Sequence, residues 1–320
     1  MRLPVSIAGL LLAAVSSSGI QTAQQSPLSV SGAALLQQGK INEARDAFES
    51  VLAANPADIE AQHGEVEASE RLAIEARRTG NMDDALKDLL RAQTFAPEDP
   101  RLLYDLGLQE DQMQLYRDAD QTLAMAEKLQ PSDPQVMYAV ARVKIDLGQL
   151  SAAGERMESY LKLRPNDASA HYGMGRVYQL ELQFDKARTE FQRSLELQPL
   201  QTESYYELGD IALGQDRFDE AIADFNKTLA RDPKHGGALT GTGKAYFKQK
   251  QYTIASNFLE RAVAAAPNYQ AGHYYLGLTL SRLGRKQDSE RELALASKLA
   301  DEESKKERSG LHLLTPANNP

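Results

Sequence analysis

The chain has 320 residues, 42% of them hydrophobic and 25% charged, which is enough apolar material for a sizeable buried core. Its 36 basic and 45 acidic residues leave a net charge of -9, spread along the chain, which argues against a nucleic-acid partner, since phosphate calls for a basic surface. Cysteine is absent, so disulfides, zinc–thiolate sites and a thiol nucleophile are excluded.

The chain opens with one positive charge, Arg2, followed by an uncharged and mostly apolar run from Val5 to Val15. That run is too short to span a bilayer and has the length of a signal-peptide core. Ser16, Ser17, Ser18 and Gly19 follow, small residues suited to a peptidase, with cleavage after Gly19 or near Ala23. Residues 1–24 are therefore expected to be a signal peptide, and the mature chain an exported one, periplasmic or extracellular. No second apolar run approaches membrane length, so no transmembrane segment is expected after the leader is removed.

Past the leader the chain repeats. Gly32, Leu35, Ala44, Phe48 and Pro56 form a first unit. The next alanine in register is Ala85, 41 residues on, and from there Ala119, Ala153, Ala187, Ala221 and Ala255 follow at 34-residue intervals. The extra seven residues before Ala85 come close to two helical turns, so they keep an apolar face aligned, and Ile59 to Arg78 reads as one lengthened helix.

Four residues after each of these alanines stands a large apolar residue: Leu89, Leu123, Met157, Phe191, Phe225 and Leu259. Twelve after stands a proline, from Pro97 to Pro267, and twelve before stands a small residue: Ala73, Gly107, Ala141, Gly175, Gly209 and Gly243. Each unit shows two apolar stripes at helical spacing with a short turn between them, which predicts a pair of antiparallel helices. Proline stops the second helix. Asp58, Asp99, Asp133 and Asp167 are placed to cap the next one, and Pro100 and Pro134 occupy its first turn. Gly39, Gly80, Gly148 and Gly284 fall in the turn within a pair. The last unit, around Gly277, has Ser289 in place of alanine and runs into a charged stretch, as a terminal unit facing water should; residues after Ser309 read as a loose tail.

This pattern resembles the tetratricopeptide repeat (TPR), with its 34-residue period and its aromatic, Leu-Gly, Tyr, Ala, Phe and Pro positions. The segment His171–Tyr178 with Ala187, Phe191 and Pro199 matches it closely, as does Tyr205–Ala212 with Ala221, Phe225 and Pro233. Eight units are expected from residue 25 to residue 301 in one continuous domain, with 302–320 as a charged helix end and tail. The resemblance implies an all-α, right-handed superhelical solenoid of helix pairs, with first helices lining a concave side, and a scaffold that binds a protein or peptide partner without catalysis.

No residue pattern points to an enzyme. No two of the five histidines stand three or four apart, so there is no helical zinc pair, and no metal or cofactor is expected. His171 and His273 fall where the family prefers an aromatic and read as packed rings. Gly173 and Gly175 belong to the packing pattern, since no strand precedes them and no Gly-Lys-Ser follows. The acidic pairs Asp83–Asp84 and Asp219–Glu220 begin second helices, where the helix dipole accounts for them.

The resemblance implies that binding residues lie at inward positions of the first helices. The fifth position reads Tyr104, Tyr138, Tyr172, Tyr206, Thr240 and Tyr274, a ladder of flat rings suited either to gripping a partner or to packing. The ninth position reads Leu108, Arg142, Arg176, Asp210, Lys244 and Leu278. Its three bases suit pairing with carboxylates of an extended, partly acidic segment, or neutralisation by Asp146, Asp210 or Glu207 of the same chain. The competing reading is a carbohydrate or cell-wall binding module, with tyrosines stacking on sugars. Self-association of the array is left open.

Overall fold

The computed structural model describes residues 27–312, and these form sixteen α-helices, with no strand among them. The expected signal peptide, residues 1–24, and the end of the expected tail lie outside the described residues. In the N-terminal part α1 (Pro27–Gln37) pairs with α2 (Ile41–Ala54) and α3 (Ile59–Arg78) with α4 (Met82–Phe95), and α5 (Pro100–Gln112) and α6 (Tyr116–Leu129) come next along the chain. They continue with α7 (Pro134–Asp146) and α8 (Leu150–Leu163), α9 (Ala168–Leu180) and α10 (Phe184–Leu197), and α11 (Thr202–Gly214) and α12 (Phe218–Arg231). The last two pairs are α13 (Gly236–Lys248) with α14 (Tyr252–Ala265), and α15 (Gln270–Arg282) with α16 (Lys286–His312). The chain divides into two compact units, Met1–Met113 and Gln114–Pro320, the division falling in the turn between α5 and α6.

Two local rules build each pair. Most first helices begin on a side-chain cap, α11 and α15 being without one: Asp58, Asp99, Asp133 and Asp167 each accept from backbone N–H groups of the first turn, Asp133 from Gln135 at 2.7 Å and Val136 at 3.3 Å. His235 does the same through Nδ1, accepting from the N–H of Ala238 at 3.0 Å. First helices end on a residue with positive φ, followed by two closing hydrogen bonds. At Gly148 the φ is 69°, its N–H donates to Ile145 at 2.9 Å, and the N–H of Gln149 donates to Lys144 at 2.8 Å. A left-handed residue follows every first helix, and in four of the eight places it is not glycine: Gln114, Leu182, Asp216 and Lys250 stand at φ between 57° and 62°.

Packing in the C-terminal unit follows one scheme. The large apolar residue of a second helix plugs between two first helices, where small residues make room. The fully buried Phe225 shows it: a Cβ built on Gly209 would lie 2.8 Å from its ring, and one on Gly241 would collide with it outright. Phe191, Met157 and Leu259 occupy the equivalent places and are each at most 1% exposed. His171 is held between Glu190 (2.7 Å to Nδ1) and the carbonyl of Pro165 (3.1 Å to Nε2), and His273 in the same way between Glu292 and Pro267. Ser289, standing where other units have alanine, is buried and donates to the carbonyl of Gly277 at 2.8 Å. Helix α16 continues to His312, past the expected break at Ser309, in a stretch rich in helix-forming Glu and Lys and without proline.

The N-terminal unit uses the scheme with one change. Phe48 packs between Gly32 and Gly64 as Phe225 does between Gly209 and Gly241, and in both cases the second glycine lies 16 residues after the ring. Ala73 and Ala85 keep the 12-residue interval of the other pairs. Helix α3 thus meets α2 through Gly64 and α4 through Ala73, and its additional seven residues lie between these two contacts. The α3 insert buries Glu65, Ser69 and Glu70 beside Ala68.

Candidate partner-binding face

Equivalent register places the side chains of interest on the first helices. Tyr104, on α5, belongs to the N-terminal unit and is half-buried there. The other seven belong to the C-terminal unit: Tyr138 and Arg142 on α7, Tyr172 and Arg176 on α9, Tyr206 on α11, Lys244 on α13 and Tyr274 on α15.

The tyrosine rings lean on aromatic or neighbouring rings of their own unit. Tyr138 lies 5.3 Å from Tyr160, Tyr172 lies 5.6 Å from Phe191, and Tyr206 lies 6.0 Å from Phe225 and 4.9 Å from His235. Each is half-buried, so one side of the ring packs and the rest reaches solvent. Tyr274 is the most open of the four, 42% exposed, with its edge against Tyr275. Burial, with Glu207 adding to it, pushes the Tyr172 hydroxyl up to about 12, and burial likewise raises Tyr138 and Tyr206, so all three stay neutral donors near pH 7. Thr240, which takes the tyrosine position in α13, is 4% exposed and takes no part in the open face.

The bases are largely engaged within the chain. Arg176 donates to Glu207 Oε1 at 2.7 Å, Tyr172 donates to the same oxygen at 3.4 Å, and Gln179 donates to Oε2 at 2.9 Å. Glu207 stands where α9 and α13 carry Gly173 and Gly241, and its side chain is 7% exposed. It is the acceptor that orients three groups of α9. Lys244 lies 5.3 Å over the Tyr275 ring and faces Asp210, whose carboxyl is raised by burial and by Glu207 against the pull of Lys244 and Arg176. Arg142 is exposed.

Between α7 and α9 these side chains enclose a hollow of about 270 Å³. Tyr138, Arg142 and Asp146 line one side, Tyr172 and Arg176 the other, and Met157 and Gly173 the floor. The structure therefore brings Tyr138, Arg142, Tyr172 and Arg176 together around one opening, while Tyr206, Lys244 and Tyr274 lie farther along the unit. Gln179 and His235 join the face without having been singled out from the sequence. A polar residue three after Arg176 on a helix was the available signal for Gln179. Among the described residues no group of three or more acidic or histidine side chains could hold a metal ion, and no helix is long and apolar enough to cross a membrane.

One family model of the tetratricopeptide repeat matches residues 31–100 and 172–236, and a second matches 212–274, together more than half of the chain. Among solved structures the chain is similar to a tetratricopeptide repeat protein from Parabacteroides merdae ATCC 43184, with a TM-score of 0.58 at 15% identity over 79% of this chain and 97% of that one. It is also similar to the APC/C hetero-tetramer Cut9–Hcn1, with a TM-score of 0.62 at 15% identity over 86% of this chain and 53% of that one. MamA from Desulfovibrio magneticus RS-1 aligns with a TM-score of 0.48 at 22% identity, over 53% of this chain and 97% of that one. No curated protein matches in sequence. With the paired helices, the 34-residue register and the family match in agreement, the chain belongs to the tetratricopeptide-repeat family.

Proposed function

We propose that the protein is an exported, non-catalytic scaffold whose C-terminal unit holds an extended, partly acidic segment of another protein along its first helices. The observation that carries this reading is the hollow between α7 and α9, where two tyrosines and two arginines converge over an apolar floor. Tyrosine supplies rigid apolar area with a hydroxyl donor, and arginine pairs carboxylates through parallel hydrogen bonds. Because Arg176 keeps one edge on Glu207, the guanidinium is held in place before a partner arrives, which lowers the ordering cost of binding. Tyr206, Lys244 and Tyr274 continue the contact along the unit, and Tyr104 offers the equivalent ring in the N-terminal unit. Stacked helix pairs with an extended face of this kind suit a chain-like partner. Export rests on the apolar run from Val5 to Val15.

A photo-crosslinking phenylalanine analogue in place of Tyr138, which lines the same hollow, in tagged protein expressed with its leader, tests the reading. The expected products are peptides rich in Asp or Glu, recovered from the exported fraction and lost on Arg142→Glu or at raised salt. Glycans recovered in place of peptides would favour carbohydrate binding. Crosslinks that survive Arg142→Glu, or peptides without acidic residues, would overturn the proposed partner chemistry.

A further inference from the structure

The insert in α3 has no part in the partner-binding face, and it carries two deeply buried glutamates, each with one oxygen that has no hydrogen-bond partner. Glu65 is 0% exposed and Glu70 is 2% exposed. Glu65 Oε1 accepts from the Ser69 hydroxyl at 3.0 Å, while Oε2 is buried with no hydrogen-bond partner. Glu70 Oε2 pairs with Arg101 of α5, while Oε1 is buried and unpartnered. An ionised carboxylate left with one dry oxygen is penalised heavily, and a neutral acid much less.

The groups around them do not make up the shortfall. Glu65 faces Arg45 and Glu49 from α2 and Arg91 from α4. Arg45 is paired with Asp88 at 2.6 Å and Arg91 with Glu49, and their pull on Glu65 is smaller than the push of its burial. Glu70 faces Arg101 and Asp105 from α5, the cap Asp99, and Glu67 of its own helix. Arg101 is 70% exposed, which screens its pair, and the three other neighbours are acids.

We infer that the α3 insert is a proton-sensitive joint: the α2–α3–α5 packing of the N-terminal unit is tight when Glu65 and Glu70 carry protons and loosens when they ionise. Burial pushes both carboxyls up from 4.5 to about 7, opposed by Ser69 at Glu65 and by Arg101 at Glu70. Asp105 is raised in the same sense, by burial against Arg77 and Arg101. A raised carboxyl in the fold means that the folded chain keeps protons which the unfolded chain has already released. The contribution to stability is therefore full below about 4.5 and falls as pH rises, and it is lost above about 7.

Hydrogen exchange of the full chain, corrected for the intrinsic pH dependence of exchange, tests this with α13 as an internal reference. From about pH 5 to about pH 8 the protection of α3 should fall by about tenfold or more relative to α13, tenfold being one unit of unequal titration. Glu65→Gln and Glu70→Gln should each restore protection at the higher pH and leave it unchanged at the lower. Equal protection of α3 at both pH values overturns the inference, as do Gln variants with the same effect at both. Should a variant fold poorly, carbon-detected titration of the glutamate carboxyls in the unaltered protein decides: midpoints near 7 for Glu65 and Glu70 uphold the joint, and midpoints near 4.5 end it.

Discussion

The two units use one repeat pattern and treat buried carboxylates in opposite ways. In the C-terminal unit Glu207 is taken into the packing together with its donors: Arg176, Tyr172 and Gln179 all reach it from α9. In the N-terminal unit Glu65 is buried more deeply and meets a single hydroxyl. Burial alone does not decide whether an acid supports or strains a fold; the number of donors aimed at it does. The glutamate that replaces a small packing residue has become a tie between α9 and α11, whereas those carried by an inserted segment have become a liability whose size depends on pH.

Packing is the ground the two units share, and the largest effects test whether they share it. Phe225→Ala empties a site between Gly209 and Gly241 and should cost about 3–5 kcal/mol of stability, read from denaturant melts of the full chain. Phe48→Ala should cost about as much, because Gly32 and Gly64 hold that ring in the same manner. A loss below about 1 kcal/mol at Phe48 would mean that α3 does not meet α2 through Gly64, and the insert would then have to lie elsewhere in the helix.

The next effect separates the units by sign. Glu207→Gln removes the charge that Arg176 donates to and should destabilise by about 1–2 kcal/mol, the low end being set by solvent screening of the partly exposed arginine. Glu65→Gln, by contrast, should raise the melting temperature near pH 8, since it replaces a strained anion with a neutral group. The same sign for both substitutions would break the contrast between matched and unmatched acids.

Much of this architecture can be read from the chain alone, and the reason is periodicity. A 34-residue interval that keeps Ala, Phe or Leu, Pro and Gly in step leaves little freedom, and Asp after Pro marks four of the first helices, α3, α5, α7 and α9, because a cap has a fixed place. The length of α3 was legible for the same reason, as two whole turns preserve the face. Its internal register was not, because Gly64 acquires meaning only from the Phe48 ring it touches. The tyrosine ladder had two readings from sequence, and the structure shows each ring packed on one side and open on the other. The bases also had two readings, and Arg176 turns out to be held by Glu207, one of the three acids considered. His235 as a cap was hidden, since histidine is rare in that role and its ring nitrogen must be turned to the helix by Tyr206 beside it.

The smallest effect concerns the turns, where the units differ again. Both turns of the N-terminal unit place glycine at the positive-φ position, Gly39 and Gly80, while the C-terminal unit places Leu182, Asp216 and Lys250 there among others. A residue with a Cβ is held in that region at a cost of about 1–2 kcal/mol, which the two closing hydrogen bonds of the turn offset. Gly80→Ala should therefore destabilise by about 1 kcal/mol, with open space around the new methyl and strain in the backbone alone. Leu182→Gly runs the other way. It releases the strained backbone and removes a side chain that is 72% exposed, so little packing is lost with it. Glycine's freedom in the unfolded chain takes back about 0.5–1 kcal/mol, leaving a gain of up to about 1.5 kcal/mol. A melt in which Leu182→Gly destabilises would show that the leucine makes a contact worth more than its backbone strain, and the non-glycine turns would then belong to the packing of the C-terminal unit.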